Sequence, residues 1–258
     1  MRHSETAPQD TCFIGDIPID ADACHFYRQA MRLLEDAGVP YLVGGAYALQ
    51  KYTGIARHTG DFDFFMHRHD VDRALEVLGK AGLKTGIPAP HWLAKAYSGE
   101  LFIDIIFGSG NGLGQVDDEW FEHAHEDEVL GVRVRLCPVE EIIWQKAFIH
   151  ERNRYDGADI AHLIRARGEQ LDWERLLRRF GEHWRVLLAH LILFGFIYPS
   201  ERDRVPNTVM HTLMDRLQAE LRLPTPRERI CGGTLLSRHE YLTDIEQWGY
   251  KDARLKRS

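Results

Sequence analysis

Cysteine is scarce in this sequence. Only Cys12, Cys24, Cys137 and Cys231 occur among 258 residues, far apart and with no C-x-x-C pair, so neither a zinc knuckle nor a disulfide framework is implied. Reduced thiols are the expectation. Long apolar runs are missing too. The longest, residues 186–197, carries His190, falls short of the roughly 18 residues of a membrane span, and reads as a buried helix. The first eight residues lack the apolar centre of a signal peptide, so a cytoplasmic protein with no membrane association is expected. No internal repeat or low-complexity tract is present. Positive charge is also short: 32 Lys+Arg stand against 39 Asp+Glu, a net charge of -7. Residues 1–137 hold 12 basic against 21 acidic side chains and residues 138–258 hold 20 against 18, so the two parts carry -9 and +2. An acidic chain binds nucleic acid poorly without specificity, so a polyanion would have to dock on the second part.

The pattern of apolar residues gives an organisation in four parts. Residues 1–20 are polar and irregular, expected as a mobile segment. Residues 21–137 mix helices and strands. Phe26, Ala30, Leu33, Leu34 and Ala37 recur at helical spacing before the stop at Gly38 and Pro40. Tyr41-Leu-Val43 then reads as a strand entering Gly44-Gly45, followed by a helix. Asp61–Met66 reads as a strand, 70–81 as a helix, and Leu101–Phe107 as a central strand covered on both faces; 129–136 alternates like a strand or hairpin. From residue 138 helical periods dominate, giving a helical domain over 138–245 and an exposed basic tail over 246–258. The fold class is α+β, a mixed sheet domain followed by helices.

Chemistry concentrates in the first part. Side chains two apart on a strand share a face, so Asp61 and Asp63 project together while Phe62 and Phe64 point away. Two carboxylates this close repel unless a cation lies between them, and oxygen ligands of this kind suit Mg²⁺. Asp104 stands alone in Leu-Phe-Ile-Asp-Ile-Ile-Phe, where an unpaired charge costs several kcal/mol to bury. A metal shared with Asp61 and Asp63 would compensate it, and three such carboxylates on adjacent strands suit two-metal phosphoryl transfer. A strand running into Gly44-Gly45 and a helix exposes backbone amides at the positive end of a helix dipole, a phosphate cradle, although a tight turn also asks for glycine on conformation alone. Other polar clusters read as solvated faces. The segment 122–128 reads as a charge-rich solvated turn, although it and His67-Arg-His69-Asp70 both have metal-ligating residue types, and Arg175, Arg178, Arg179 and Arg185 read as a solvated helix face with a phosphate-facing ridge as the alternative. Trp144, Trp173 and Trp184 read as core.

Leu42-Val-Gly-Gly-Ala-Tyr-Ala-Leu, followed by Arg57-His-Thr-Gly-Asp-Phe-Asp-Phe, resembles the nucleotidyltransferase superfamily that includes DNA polymerase beta and the aminoglycoside nucleotidyltransferases. The resemblance implies that Asp61, Asp63 and Asp104 are catalytic metal ligands for two Mg²⁺ ions, with Mn²⁺ as a substitute. It implies that Gly44 and Gly45 form the phosphate-binding turn, and that Arg57 and Thr59 belong to an Arg-x-Thr-x-Asp-x-Asp variant. The segment from Pro138 to Ile164 is similar to the helical part of bacterial nucleotidyltransferase-like proteins, which would make Lys146 a nucleotide-phosphate contact. Gly45 replaces a serine found in some members, and Tyr155 replaces a basic residue before Asp156 and Asp159, which then read equally well as helix-terminal carboxylates. The implied function is transfer of a nucleoside monophosphate from a nucleoside triphosphate, by resemblance ATP, to a hydroxyl on a small molecule, protein or RNA. A non-catalytic nucleotide-binding or toxin-antitoxin component on the same fold is the alternative, although a pure binder has no need of Asp104. A metal-dependent phosphohydrolase would place a His-Asp cluster at the metals, and only His58 is near.

Overall fold

The computed structural model describes residues 12–237 and 239–255. The chain divides into two compact units. One runs to Ser109 and resumes over Gln115–Pro138; the other comprises Gly110–Gly114 and the chain from Val139. Of the segment expected to be mobile, residues 1–11 lie outside the described residues. The rest is ordered, because β1 (Cys12–Ile14) and β2 (Ile17–Ile19) pair as an antiparallel hairpin. Asp20 then caps helix α1 (Ala21–Asp36), accepting from the amides of Asp22 and Ala23. The hairpin sets Cys12 opposite Ile19, just before this cap, and Cys12 is disulfide-bonded to Cys24 in the first turn of α1. This corrects the expectation of four reduced thiols. Cys137 and Cys231 are buried and not disulfide-bonded.

The first unit continues through β3 (Leu42–Val43), α2 (Gly45–Thr53), β4 (Asp63–Phe65), α3 (Arg68–Lys80), β5 (Lys84–Ala89), β6 (Leu93–Ser98), β7 (Leu101–Ile106), α4 (Asp118–Glu122), β8 (His125–Val129) and β9 (Val132–Leu136). The seven strands β3 to β9 form one mixed sheet in the order β5-β6-β7-β4-β3-β9-β8, with β4/β7 and β3/β9 parallel. β7 lies inside the sheet between β6 and β4, as its apolar residues predict, but it is covered fully on one face only: Ile103 and Ile105 are buried, while Phe102, Asp104 and Ile106 on the other face are half-buried, which corrects the expectation of a strand covered on both faces. β5 and β6 escape sequence reading because Gly86, Pro88 and a bulge interrupt one and Lys95 the other. The segment 122–128, expected as a turn, supplies most of β8. This edge strand sets Glu126 and Glu128 opposite Arg135 and Arg133 of β9, so its acidic run is a row of cross-strand charge pairs. Phe62 and Phe64 face an aromatic core, with Tyr47 and Tyr27 centroids 4.6 and 5.0 Å from Phe62.

The second unit holds α5 (Val139–Lys146), a hairpin of β10 (His150–Glu151) and β11 (Arg154–Tyr155), then α6 (Gly157–Arg167), α7 (Trp173–Phe180), α8 (Trp184–Ile197) and α9 (Asn207–Leu221). β12 (Ile230–Cys231), α10 (Leu242–Glu246) and β13 (Lys251–Asp252) follow. β13 pairs in parallel with β12, so the expected free tail is partly built into the unit; residues 256–258 lie outside the described residues. Trp144, Trp173 and Trp184 are buried. α8 is buried on one side only, through Leu187, Leu188, His190, Leu191 and Phe194, while Phe196 is 83% exposed, which corrects the reading of a fully buried helix. By length and composition alone the helical run Trp173–Ile197 is long and apolar enough to cross a membrane.

The arginine ridge dissolves into separate ion pairs. Arg175 is buried, donating through Nη1 to both oxygens of Glu141 at 2.9 and 3.0 Å and through Nη2 to Glu140. Arg179 reaches the same Glu141, and Arg185 pairs with Glu220. Burial pushes Glu141 up to about 7 against the pull of Arg175 and Arg179. A buried charge stripped of its partner costs about 3 to 5 kcal/mol. Arg175→Met is therefore expected to lower unfolding free energy in urea by that amount, and a loss under 1 kcal/mol would show the pairing to be dispensable.

Candidate active site

The site is assembled by strand register. β4 lies beside β7 with Asp63 directly opposite Asp104, and the Asp104 amide donates to Phe62 O at 2.9 Å. Asp61, at the entry to β4, completes a cluster in which one carboxylate oxygen from each residue lies within 4.8 Å of the others. The three aspartates predicted to converge do converge. Thr59 donates through Oγ1 to Asp61 Oδ1, fixing that carboxylate, and Arg57 is exposed in the same loop.

The glycine turn closes onto this cluster. The Gly44 amide donates to Asp63 O at 3.0 Å, and Gly44 stands at the N-cap of α2, so the start of the helix, where backbone amides have no intrahelical partner, lies beside Asp63. Both glycines are required by packing as well as by the turn. A Cβ on Gly44 would enter the ring of Phe65, and one on Gly45, at φ +56°, would coincide with the Asp63 carboxylate. Serine at 45 would need the Asp63 side chain to move. Gly45→Ala is expected to displace Asp63 and lower the melting temperature, as the left-handed backbone and the collision both oppose it. An unchanged melting temperature with unchanged divalent-ion binding would show the turn to be adaptable.

Negative charge dominates the surroundings. The Tyr27 phenol is pushed up to about 12, by burial first and then by Asp61, Asp63 and Asp20; Tyr47 is raised by burial, Tyr27 and the same two aspartates. Sequence reading missed one member of the site. Lys95 of β6 stands opposite Asp104 in the β6/β7 register, and its Nζ lies 2.7 Å from Asp104 Oδ1. Asp104 is thus compensated without a metal, although incompletely: burial raises its pKa, Lys95 opposes, Asp61 adds to the rise, and the net direction is upward.

That direction sets a pH dependence. The folded state holds the Asp104 proton more tightly than the unfolded chain does, so its contribution to stability is present at acid pH and is lost as pH rises through the folded pKa. Asp104→Asn is expected to raise the melting temperature at neutral pH in the presence of chelator, and to flatten its decline from pH 4 to 7. A lower melting temperature at pH 7 would show the Lys95–Asp104 pair to be net stabilising.

Lys146 belongs to the second unit, where its Nζ is 2.7 Å from Asp156 Oδ2 and 2.8 Å from Asp159 Oδ2. Burial works against the Asp156 charge, yet Arg154 and Lys146 outweigh it and hold the carboxyl below its usual range. His67, His69 and Asp70 gather at the start of α3. The two imidazoles stack at 5.0 Å, His67 stacks on Phe121, and its Nε2 is 3.1 Å from Asp118 Oδ1.

Residues 23–194 match a protein family described as an uncharacterised nucleotidyltransferase. The chain belongs to this family. No curated protein matches it. Among solved structures, this nucleotidyltransferase is similar to the antibiotic-resistance factor ANT(2'')-Ia, at 15% identity over 67% of this chain and 98% of that one, TM-score 0.49. An antigenic nucleotidyltransferase-like protein from Paracoccidioides brasiliensis is similar at 15% identity over 75% of this chain and 99% of that one, TM-score 0.48. The lincosamide antibiotic adenylyltransferase LnuA is similar at 17% identity over 54% of this chain and 94% of that one, TM-score 0.39.

Proposed function

We propose that this nucleotidyltransferase transfers a nucleoside monophosphate from a nucleoside triphosphate, with ATP as donor, to an acceptor hydroxyl, and that it depends on Mg²⁺. The observation that carries the reading is the cluster of Asp61, Asp63 and Asp104, oxygens within 4.8 Å of one another, with the side-chain-free Gly45 seated against Asp63. The donor set fits the ion. Three hard carboxylate oxygens suit Mg²⁺, or Mn²⁺ in its place, and like charges so close call for a cation. Asp61 and Asp63 would hold two ions, with Asp104 on one of them. When bound, such ions neutralise the triphosphate and the charge that develops at phosphorus.

The chain's own groups do the rest. Gly44 and Gly45 present backbone amides to the phosphates, while Thr59 orients Asp61. Arg57 and Lys146 are proposed as further nucleotide contacts. The acceptor oxygen attacks the α-phosphorus, the bond to the bridging oxygen of the β-phosphate breaks, and pyrophosphate leaves. The hydroxyl proton passes to the Asp104 carboxylate, whose affinity for a proton burial has raised.

The test is transfer of α-labelled ATP to separate pools of small-molecule, protein and RNA hydroxyls. Asp61→Asn and Asp63→Asn keep the side-chain shape and remove the charge, and each is expected to lower Mg²⁺-dependent transfer by roughly a thousandfold or more, several kcal/mol of lost charge stabilisation. Undiminished transfer by both variants would remove the aspartates from the chemistry.

A further inference from the structure

Lys95, Asp104 and Asp63 form a row across three adjacent strands, each directly opposite the next in register. Directly opposed residues share a face of the sheet, so the lysine belongs to the same surface as the carboxylates. Its ammonium is bracketed: Asp104 Oδ1 lies at 2.7 Å, and the Phe102 ring, two residues before Asp104 on the same strand, lies with its centroid 3.8 Å away. The Lys95 side chain is one-fifth exposed and that of Asp104 15%. A positive charge therefore sits on one of the two carboxylate oxygens that Asp104 has to offer a divalent ion.

Resting on the reading of the three aspartates as the metal site, we propose that Lys95 is a positioning residue that occupies Asp104 in the metal-free enzyme and keeps the cluster from taking up a divalent ion ahead of the nucleoside triphosphate. The physical reason is competition. With Lys95 in place, an arriving ion meets one carboxylate already neutralised and a repelling ammonium beside it. An ion that arrives with the triphosphate brings phosphate oxygens as ligands, and those anionic oxygens give the displaced ammonium a new partner. The metal and the nucleotide then enter together, and Asp104 is released for the acceptor proton at the moment the donor is in place.

The test is binding of Mn²⁺ alone to the full chain, by calorimetry and by the paramagnetic signal of the free ion, for wild type, Lys95→Met, Lys95→Gln and Lys95→Arg. Removing the ammonium is expected to tighten Mn²⁺ binding on the order of tenfold, in both Met and Gln variants, and to enlarge the rise in melting temperature that Mn²⁺ produces. Lys95→Arg is expected to restore weak binding. With a non-hydrolysable ATP analogue present, the wild-type and Met affinities for Mn²⁺ are expected to converge. A purely structural ion pair predicts the opposite, since loss of Lys95 would misplace Asp104 and weaken the site. Unchanged or weaker Mn²⁺ binding in the Met and Gln variants overturns the proposal. Asp63→Asn separates the two levels. If it abolishes Mn²⁺ binding while Lys95→Met leaves that binding unaltered, only the role of Lys95 falls. If Mn²⁺ binds equally well to Asp63→Asn, the metal site itself is misassigned and both readings fall.

Discussion

Repulsion among three carboxylates is the constraint that the centre of the sheet is built to withstand. Asp61, Asp63 and Asp104 are held with oxygens within 4.8 Å of each other, where like charges in a partly buried setting cost several kcal/mol. The surrounding elements hold them there. The β4/β7 register sets two of the three side by side, Thr59 restrains the first, and Gly45 leaves Asp63 the volume that any side chain would take. The aromatic layer beneath, from Phe62 to Tyr27 and Tyr47, supplies the packing that keeps β4 from relaxing away from its neighbour.

Local features of this site are legible in the sequence and long-range ones are not. The Asp-x-Asp spacing fixes a shared face, the glycine pair announces a turn before a helix, and the apolar run around Asp104 marks a central strand. Each depends on residues within a few positions of one another. Lys95 is invisible in the same way that β6 is: its meaning comes from the register between two strands, and no period in Leu93–Ser98 reveals which residue of β7 it will oppose. Arg175 was legible as helical and misread as solvated, because its partners Glu140 and Glu141 sit on another helix. The bond between Cys12 and Cys24 depends on the β1/β2 hairpin, which returns Cys12 to the start of α1 and which spacing alone does not disclose.

Lys146 shows how one residue can satisfy two accounts. The likeness to nucleotidyltransferases points it at a phosphate, while the structure surrounds it with Asp156 and Asp159. The two are chemically compatible. An ammonium held between two carboxylates is aimed, with less side-chain freedom left to lose on meeting an anion.

The five residues Gly110–Gly114 belong to the second unit although the first unit surrounds them in sequence. Asn111 donates through Nδ2 to Leu235 O at 2.9 Å, a partner 124 positions later. During synthesis the sheet therefore emerges carrying an unfinished loop, whose packing partners are still unmade when residue 138 leaves the ribosome. Closing a loop of this length costs entropy that only the completed second unit can offset. A later part of the chain thus finishes a segment that begins four residues after the strand bearing Asp104, and a fragment cut at the boundary near residue 138 would leave Asn111 without its bond to Leu235.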